Sequence, residues 1–527
     1  MESIVVDNWD GAKAIAPSTG KYMDVTSPVD GAVIGRVAVS APADVEFAVA
    51  AAEAAYPAWA SRTVKSRAAV MFRFHELLAS HAEEIAGLVT AESGKNHGEA
   101  LASIAKGNET VEYACSLPQL CQGKIEEVSR GVMCQDMREP VGIVSCVVPF
   151  NFPVMVPMWT IPIALTLGNC VILKPSEKVP LSMNRIARLM AEAGLPPGVF
   201  QMVQGTREVV EALCDHPKIP ALTFVGSSPV AQAVHDRCRR HRKKVIALGG
   251  AKNHLVALPD CDAESAAHDI VSSFAGAAGQ RCMAASVLIV VGDTGANASG
   301  GSVIERVVAK ASALLPGTGP GQVGAIIDGG AKARILRYIK QAVDSDGAEL
   351  LVDGTPWADA STAPKGTQAA APGNQGHWVG PTVLLHKSAS DAAVTDEIFG
   401  PVLSIVKVDT WEEALGIEAA SPFGNAACIY TSVGAHAAYF QTKFRAGMIG
   451  VNVGIPVPRE PFAFGGLYGT ASKFGDMDIT GEGCMEFFSN RRKITSRWPT
   501  PSATASMAAA PPGPPAEKDT ANFNGNI

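Results

Sequence analysis

Residues 276–286 read GAAGQRCMAAS and set one cysteine, Cys282, between an arginine and a methionine in a run of small residues. A thiol there is either a small core residue or a nucleophile. Free cysteine is among the most buried residue types, and reactivity requires a special setting. Ten further cysteines are scattered along the chain, with no CxxC pair and no Cys/His set at zinc-ligand spacing. Two other stretches carry groups suited to a phosphate and a sugar. FVGSSPV (224–230) ends an apolar run with Gly226 and continues into a helical pattern at Ser227. Glycine admits a phosphate close to the backbone, and a helix N-terminus supplies N–H donors; a serine there is also an ordinary N-cap. LKPSE (173–177) places Lys174 at the end of an apolar run and Glu177 three residues on. Singly, each of these is a weak signal.

The elements that must position these residues alternate between strand and helix. After Val141 come the apolar runs VGIVSCVV, CVILK, VFQMV, ALTFVG and KVIAL, separated by the helical patterns SMNRIARLMAEAG, REVVEALCD and SPVAQAVHDRCRR. Near-continuous Val/Ile runs are the mark of parallel strands buried on both faces. Their alternation with helices predicts an open parallel sheet, which binds ligands beyond the C-terminal ends of its strands. A second α/β set begins near residue 256 with helix AESAAHDIVSSFAGAAG, strand SVLIVVG and helix SVIERVVAKASALL. Residues 353–376 read as a surface loop, and residues 499–527, with AAAPPGPPAEK, as a disordered tail.

Composition excludes several classes. The chain has 527 residues, 47% of them hydrophobic, and a net charge of −7. A general nucleic-acid surface would carry a basic excess; the one dense basic run, RCRRHRKK (237–244), reads as a solvated helix end. Residues 141–173 hold no charge but contain Pro149, Pro153, Pro157 and Pro162, which argue against a membrane span. The polar start MESIVVDNWDG resembles neither a secretory leader nor a transit peptide, and a reducing, cytoplasmic location is expected.

PFNFP (149–153), LKPSE (173–177), FVGS (224–227), GQRC (279–282) and EIFGPV (397–402) occur in that order. Together they resemble the NAD(P)-dependent aldehyde dehydrogenase superfamily over roughly residues 20–498. VPFNFPVMVP, GAKNH and FAGAAGQRCMA are similar to its CoA-acylating methylmalonate-semialdehyde dehydrogenase branch. The resemblance implies a Rossmann-type NAD domain (1–122 and 142–255), an α/β catalytic domain (256–456), and an oligomerisation arm with a C-terminal extension (123–141 and 457–498). It implies Cys282 as nucleophile and Asn151 as the amide that holds the oxyanion. Val148 and Phe150 would line the cofactor cleft, and Lys174, Glu177 and Lys178 would contact the adenosine ribose. Ser227 would lie by the pyrophosphate, Gly249 by the nicotinamide, and Glu397 on the nicotinamide ribose. NAD is the implied cofactor and coenzyme A the co-substrate. No metal, nucleic acid or membrane is implied, and a homodimer or homotetramer would form through an exchanged strand in 484–498.

Two departures bear on the reaction. Hydrolytic members read Glu-Leu-Gly-Gly where this chain reads Ala247-Leu-Gly-Gly, so the base that activates water is missing; alanine cannot accept a proton. A Cys282 thioester would then await the thiol of coenzyme A. The branch often has an arginine, held to grip the substrate carboxylate, where this chain has Lys106; lysine keeps the charge but loses the bidentate fork. Arg281, next to the nucleophile, is retained and is expected with Lys106 at the substrate carboxylate; Arg459 is unusual for the branch and is expected within reach of the aldehyde entrance. The expected substrate is a short anionic aldehyde, malonate or methylmalonate semialdehyde, giving acetyl-CoA or propanoyl-CoA with loss of carbon dioxide. A hydrolytic dehydrogenase of another small aldehyde and a non-catalytic NAD-binding homologue are the alternatives.

Overall fold

The computed structural model describes residues 4–292 and 301–498; the tail at 499–527 lies outside them. Two large sheets organise the chain. In the first, the order is Lys473–Phe474, Lys244–Leu248, Ala221–Val225, Ile143–Val147, Cys170–Lys174, Phe200–Met202, Asn8–Trp9, Ala14–Ile15. The five central strands are parallel, and the short pairs at both edges are antiparallel. Strands CVILK and KVIAL and helix Arg207–Asp215 fall where the apolar patterns put them. Ile143–Val147 pairs with the next strand in sequence on one side and with Ala221–Val225 on the other. The chain thus reverses direction across the sheet at this strand, which opens a crevice at its C-terminal end. The uncharged stretch resolves into strand Ile143–Val147, a loop, the wholly buried helix Met155–Leu167 and strand Cys170–Lys174. Among the described residues no helix is long and apolar enough to cross a membrane.

The second sheet has the order Glu349–Val352, Thr382–His386, Val402–Val408, Ala285–Val291, Asn253–Ala257, Ala426–Tyr430, Met448–Val451, and all but its first strand are parallel. Its strand Asn253–Ala257 straddles the boundary expected at 255. Lys473–Phe474, from the segment expected in the arm, closes the edge of the first sheet instead. The arm itself is a separate antiparallel sheet of Lys124–Ser129, Val132–Pro140 and Ser489–Arg497.

Two sequence expectations are corrected. The pattern AESAAHDIVSSFAGAAG is helical only over Ala263–Ala275; beyond it Ala277, Ala278 and Gly279 all take the left-handed conformation, with φ of 50°, 52° and 69°. Residues 353–376 do not form a simple surface loop. Trp357, Ala363 and Ala369 are buried, and Asn374 Nδ2 donates to the Val29 carbonyl at 3.0 Å.

Candidate active site

The crevice lies between the C-terminal ends of the first sheet's strands and the N-terminal ends of the second's. Val148–Phe152 follow strand Ile143–Val147, Lys174–Lys178 follow Cys170–Lys174, Gly226 and Ser227 follow Ala221–Val225, and Gly249 follows Lys244–Leu248. From the other side, Cys282 precedes strand Ala285–Val291 and Glu397 precedes Val402–Val408. Topology therefore gathers segments more than a hundred residues apart.

Cys282 is half-buried, its side chain packed against the core of the first sheet. Its carbonyl accepts the side-chain amides of Asn253 and Asn425, each at 2.9 Å. Asn253 also donates to the Ala284 carbonyl at 2.8 Å. These two asparagines fix the backbone at the thiol. The first lies in the quoted GAKNH motif without an assigned role; the second gave no sequence signal. Burial pushes the Cys282 thiol up to about 12, and the nearby Glu397 carboxylate adds to this. The backbone N–H groups of Cys282 and Met283, and then Arg281, favour the thiolate. Asn151 is buried, and its amide Nδ2 donates to the Gln280 carbonyl at 3.0 Å, two residues from the thiol. The expected oxyanion donor is thus bonded to the loop that carries the expected nucleophile.

The residues expected at a dinucleotide are also gathered. Lys174 Nζ meets Glu177 Oε2 at 2.7 Å. Burial alone would raise the Glu177 carboxyl, but Lys174 overrides it and the net displacement is downward. Lys178 Nζ lies 2.5 Å from Asp328 Oδ2 and 5.5 Å from the centroid of the Phe150 ring, which stands edge-on to Phe399. Val148 is buried, its N–H on the Lys174 carbonyl. Ser227 is the N-cap of helix Ser228–Arg240 and makes no side-chain capping bond. Glu397 Oε1 accepts the Ala251 N–H at 2.8 Å, and burial raises its carboxyl. Gly249 packs against Ala471 and Ser228, whereas Gly250 faces Glu397: a Cβ at 250 would stand 2.3 Å from Glu397 Oε2. A helix N-terminus, an ion pair at a strand end, and a carboxylate reached only past glycine fit a phosphate and two riboses.

The cations expected at the substrate carboxylate already have partners. Lys106 Nζ lies 2.8 Å from both Glu109 Oε2 and Glu460 Oε2. Arg281 donates to Glu99 Oε1 at 3.0 Å and to the Ser272 carbonyl at 3.3 Å. Arg459 is 82% exposed, with Glu109 Oε1 at 3.9 Å. Ala247 is fully buried and pairs in register with Phe224 and Phe474.

A half-buried cysteine, a buried amide bonded to the loop that carries it and a crevice at the switch point of a parallel sheet meet in one place, the arrangement of a nucleotide-binding α/β dehydrogenase. The aldehyde dehydrogenase family model matches residues 15–494, and the chain belongs to that family of oxidoreductases. It is 39% identical over 495 residues to malonate-semialdehyde dehydrogenase 1 of Geobacillus thermodenitrificans, covering 93% of this chain and 98% of the relative. It is likewise 39% identical over 498 residues to malonate-semialdehyde dehydrogenase 2 of Bacillus anthracis, covering 94% and 98%. Among solved structures, it is similar to a Sinorhizobium meliloti protein described as a methylmalonate-semialdehyde dehydrogenase complexed with NAD, with a TM-score of 0.89, 36% identity, and 94% and 99% coverage. The methylmalonate-semialdehyde dehydrogenase of Oceanimonas doudoroffii has a TM-score of 0.88 at 36% identity, with 95% and 99% coverage.

Proposed function

We propose that this chain oxidises malonate or methylmalonate semialdehyde with NAD and passes the acyl group to coenzyme A, with loss of the β-carboxylate as carbon dioxide. The observation that carries the reading is the bond from the Asn151 amide to the Gln280 carbonyl, two residues before Cys282, with Ala247 supplying no base. Cys282, once it loses its proton, adds to the aldehyde carbon, and the Asn151 amide with the Cys282 N–H stabilises the charge that develops on oxygen. Bound NAD would supply the hydride acceptor, and Cys282 would keep the acyl group as a thioester. Lys174, Glu177 and Lys178 would hold the adenosine ribose, Ser227 would meet the pyrophosphate, and Val148 and Phe150 would wall the cleft. Gly249 and Gly250 would leave room for the nicotinamide end, whose ribose Glu397 would hold. The thiolate of coenzyme A attacks the thioester carbon and releases the Cys282 sulfur. Breaking the bond to the β-carboxylate frees carbon dioxide, and the carbon left behind takes up a proton.

Lys106 and Arg281, the latter beside the nucleophile, grip the substrate carboxylate. The arm of Lys124–Ser129, Val132–Pro140 and Ser489–Arg497, with Ile125 and Trp498 exposed, docks a second copy to give a homodimer or homotetramer. Eleven free thiols suit a reducing cytoplasm.

Rapid mixing with NAD and aldehyde tests the reading. General-base assistance is worth about 10²–10⁴-fold, so a burst of about one NADH per site should precede a slow phase that coenzyme A alone accelerates. Cys282→Ala should lose the burst and still bind NAD. Free acid forming as fast without coenzyme A as acyl-CoA forms with it would overturn the acyl-transfer assignment.

A further inference from the structure

Two charged side chains without a task in this scheme stand one helical turn apart at the start of helix His97–Cys115, in the stretch ESGKNHGEA. Lys95 is only 4% exposed. Its ammonium donates to the backbone carbonyl of Asn151 and lies 4.5 Å from the centroid of the Phe152 ring. Glu99 Oε1 accepts the Ala277 N–H at 2.7 Å and the Arg281 guanidinium at 3.0 Å. One helix end therefore grips both loops of the site: the one that carries the amide and the one that carries the thiol.

Both grips are costly to build. A buried ammonium on a neutral carbonyl loses hydration that this one bond returns only in part. Burial pushes the Lys95 ammonium down to about 7, with Glu99 pulling it up and Arg281 pressing it further down. Ala277 and Ala278 hold left-handed backbone, which disfavours any residue with a Cβ. That conformation persists only where surroundings over-determine it, and Glu99 bonds the turn at its first left-handed residue and again at Arg281. Asn96, between the two, caps the helix through the Glu99 N–H at 2.8 Å and donates to the Gln322 carbonyl at 2.8 Å, which seats the helix end itself.

We propose that Lys95 and Glu99 are positioning residues for thioester formation: Lys95 sets the Asn151 backbone so that its amide meets the developing oxyanion, and Glu99 sets the left-handed turn so that the Cys282 thiol meets the aldehyde carbon. This rests on the roles given above to Cys282 and Asn151. The role is geometric, so it acts on the rate of the first chemical step and leaves cofactor affinity alone.

The test is the NADH burst with NAD and propanal, read beside NAD binding and iodoacetamide alkylation of Cys282. Lys95→Met should slow the burst about 10–100-fold, approaching the roughly 10²–10³-fold typical of losing an oxyanion donor. NAD binding should stay within about twofold, and Lys95→Arg should recover most of the burst. Lys95→Met added to Asn151→Ala should cost nothing more, because a residue that acts through another is silent once that one is gone. Glu99→Ala should slow both burst and alkylation, with Glu99→Gln, which keeps the acceptor for Ala277, in between. Should Lys95→Met not fold, Lys95→Gln, which keeps a donor, carries the same cycle. An additive cycle, or bursts within twofold of the parent in the Lys95 and Glu99 variants, overturns the proposal. An intact burst in Asn151→Ala overturns the oxyanion assignment first, and the Lys95 role with it.

Discussion

The ammonium of Lys106 sits 2.8 Å from the carboxylate of Glu460, 354 residues further along the chain, and Glu460 Oε1 accepts the Thr110 hydroxyl at 3.1 Å. With Glu109 on its other side, the cation expected to grip an anionic substrate is shared between two internal carboxylates. A substrate carboxylate must compete with Glu460 for the same ammonium. Removing the competitor should therefore tighten anionic substrates only. A charge-assisted hydrogen bond is worth about 1.5–3 kcal/mol, and the substrate recovers part of it. Glu460→Gln should lower KM for malonate semialdehyde by about three- to tenfold and leave KM for propanal unchanged. A KM that rises for both aldehydes would make Glu460 a support for the loop and not a competitor.

Much of this architecture was legible before the structure because parallel strands buried on both faces have little choice of residue. CVILK and KVIAL could hardly be anything else, and the motif residues lie just past the ends of such strands. What stayed hidden depends on partners far away in sequence. Nothing periodic links Lys95 to Asn151, Asn425 to Cys282, or Lys106 to Glu460; each pair meets only once the sheets have packed. The turn at 277–279 carries a helical pattern because alanine is the best helix former, and the structure departs from it. Its left-handed backbone is imposed by contacts to Glu99 and to residue 400, not by local preference. The two-residue strand Lys473–Phe474 is too short to leave any pattern.

Gly279 is the residue of that turn that tolerates least. Its φ is +69°, and a Cβ there would stand 2.0 Å from the Gly400 carbonyl oxygen. The obstacle is backbone, in the EIFGPV segment that also carries Glu397, so it cannot swing aside as a side chain would. Gly279→Ala should displace the Cys282 loop from the Glu397 segment, with a burst reduced by at least about 10²-fold, on the scale of a misplaced reacting atom. Thermal unfolding should shift down by several degrees, in line with a loss of about 1–3 kcal/mol. A variant with normal melting and a normal burst would show that the two loops do not bear on each other.

The Cys282 thiol and the Glu397 carboxylate are coupled through charge, and that coupling has a measurable sign. Burial raises the thiol to about 12, and Glu397 pushes the same way, because an anion nearby disfavours a second one. Iodoacetamide reacts with the thiolate, so the alkylation rate of the enzyme without NAD tracks the thiolate fraction. With the thiol so high, the rate should climb about tenfold per pH unit from pH 7 and still be climbing at pH 10, where a free cysteine of pKa about 8.5 has levelled off. Glu397→Gln removes the carboxylate charge and keeps the acceptor for the Ala251 N–H. Its alkylation at pH 9 should be severalfold faster than the parent's, its pH curve should move to lower pH, and, from the role proposed for Glu397 at the nicotinamide ribose, its KM for NAD should rise. Opposite movement of the two readouts separates this from a general loosening of the site, which would change both without moving the pH curve. A parent curve that levels near pH 9, or slower alkylation in Glu397→Gln, would mean that Glu397 does not govern the thiol.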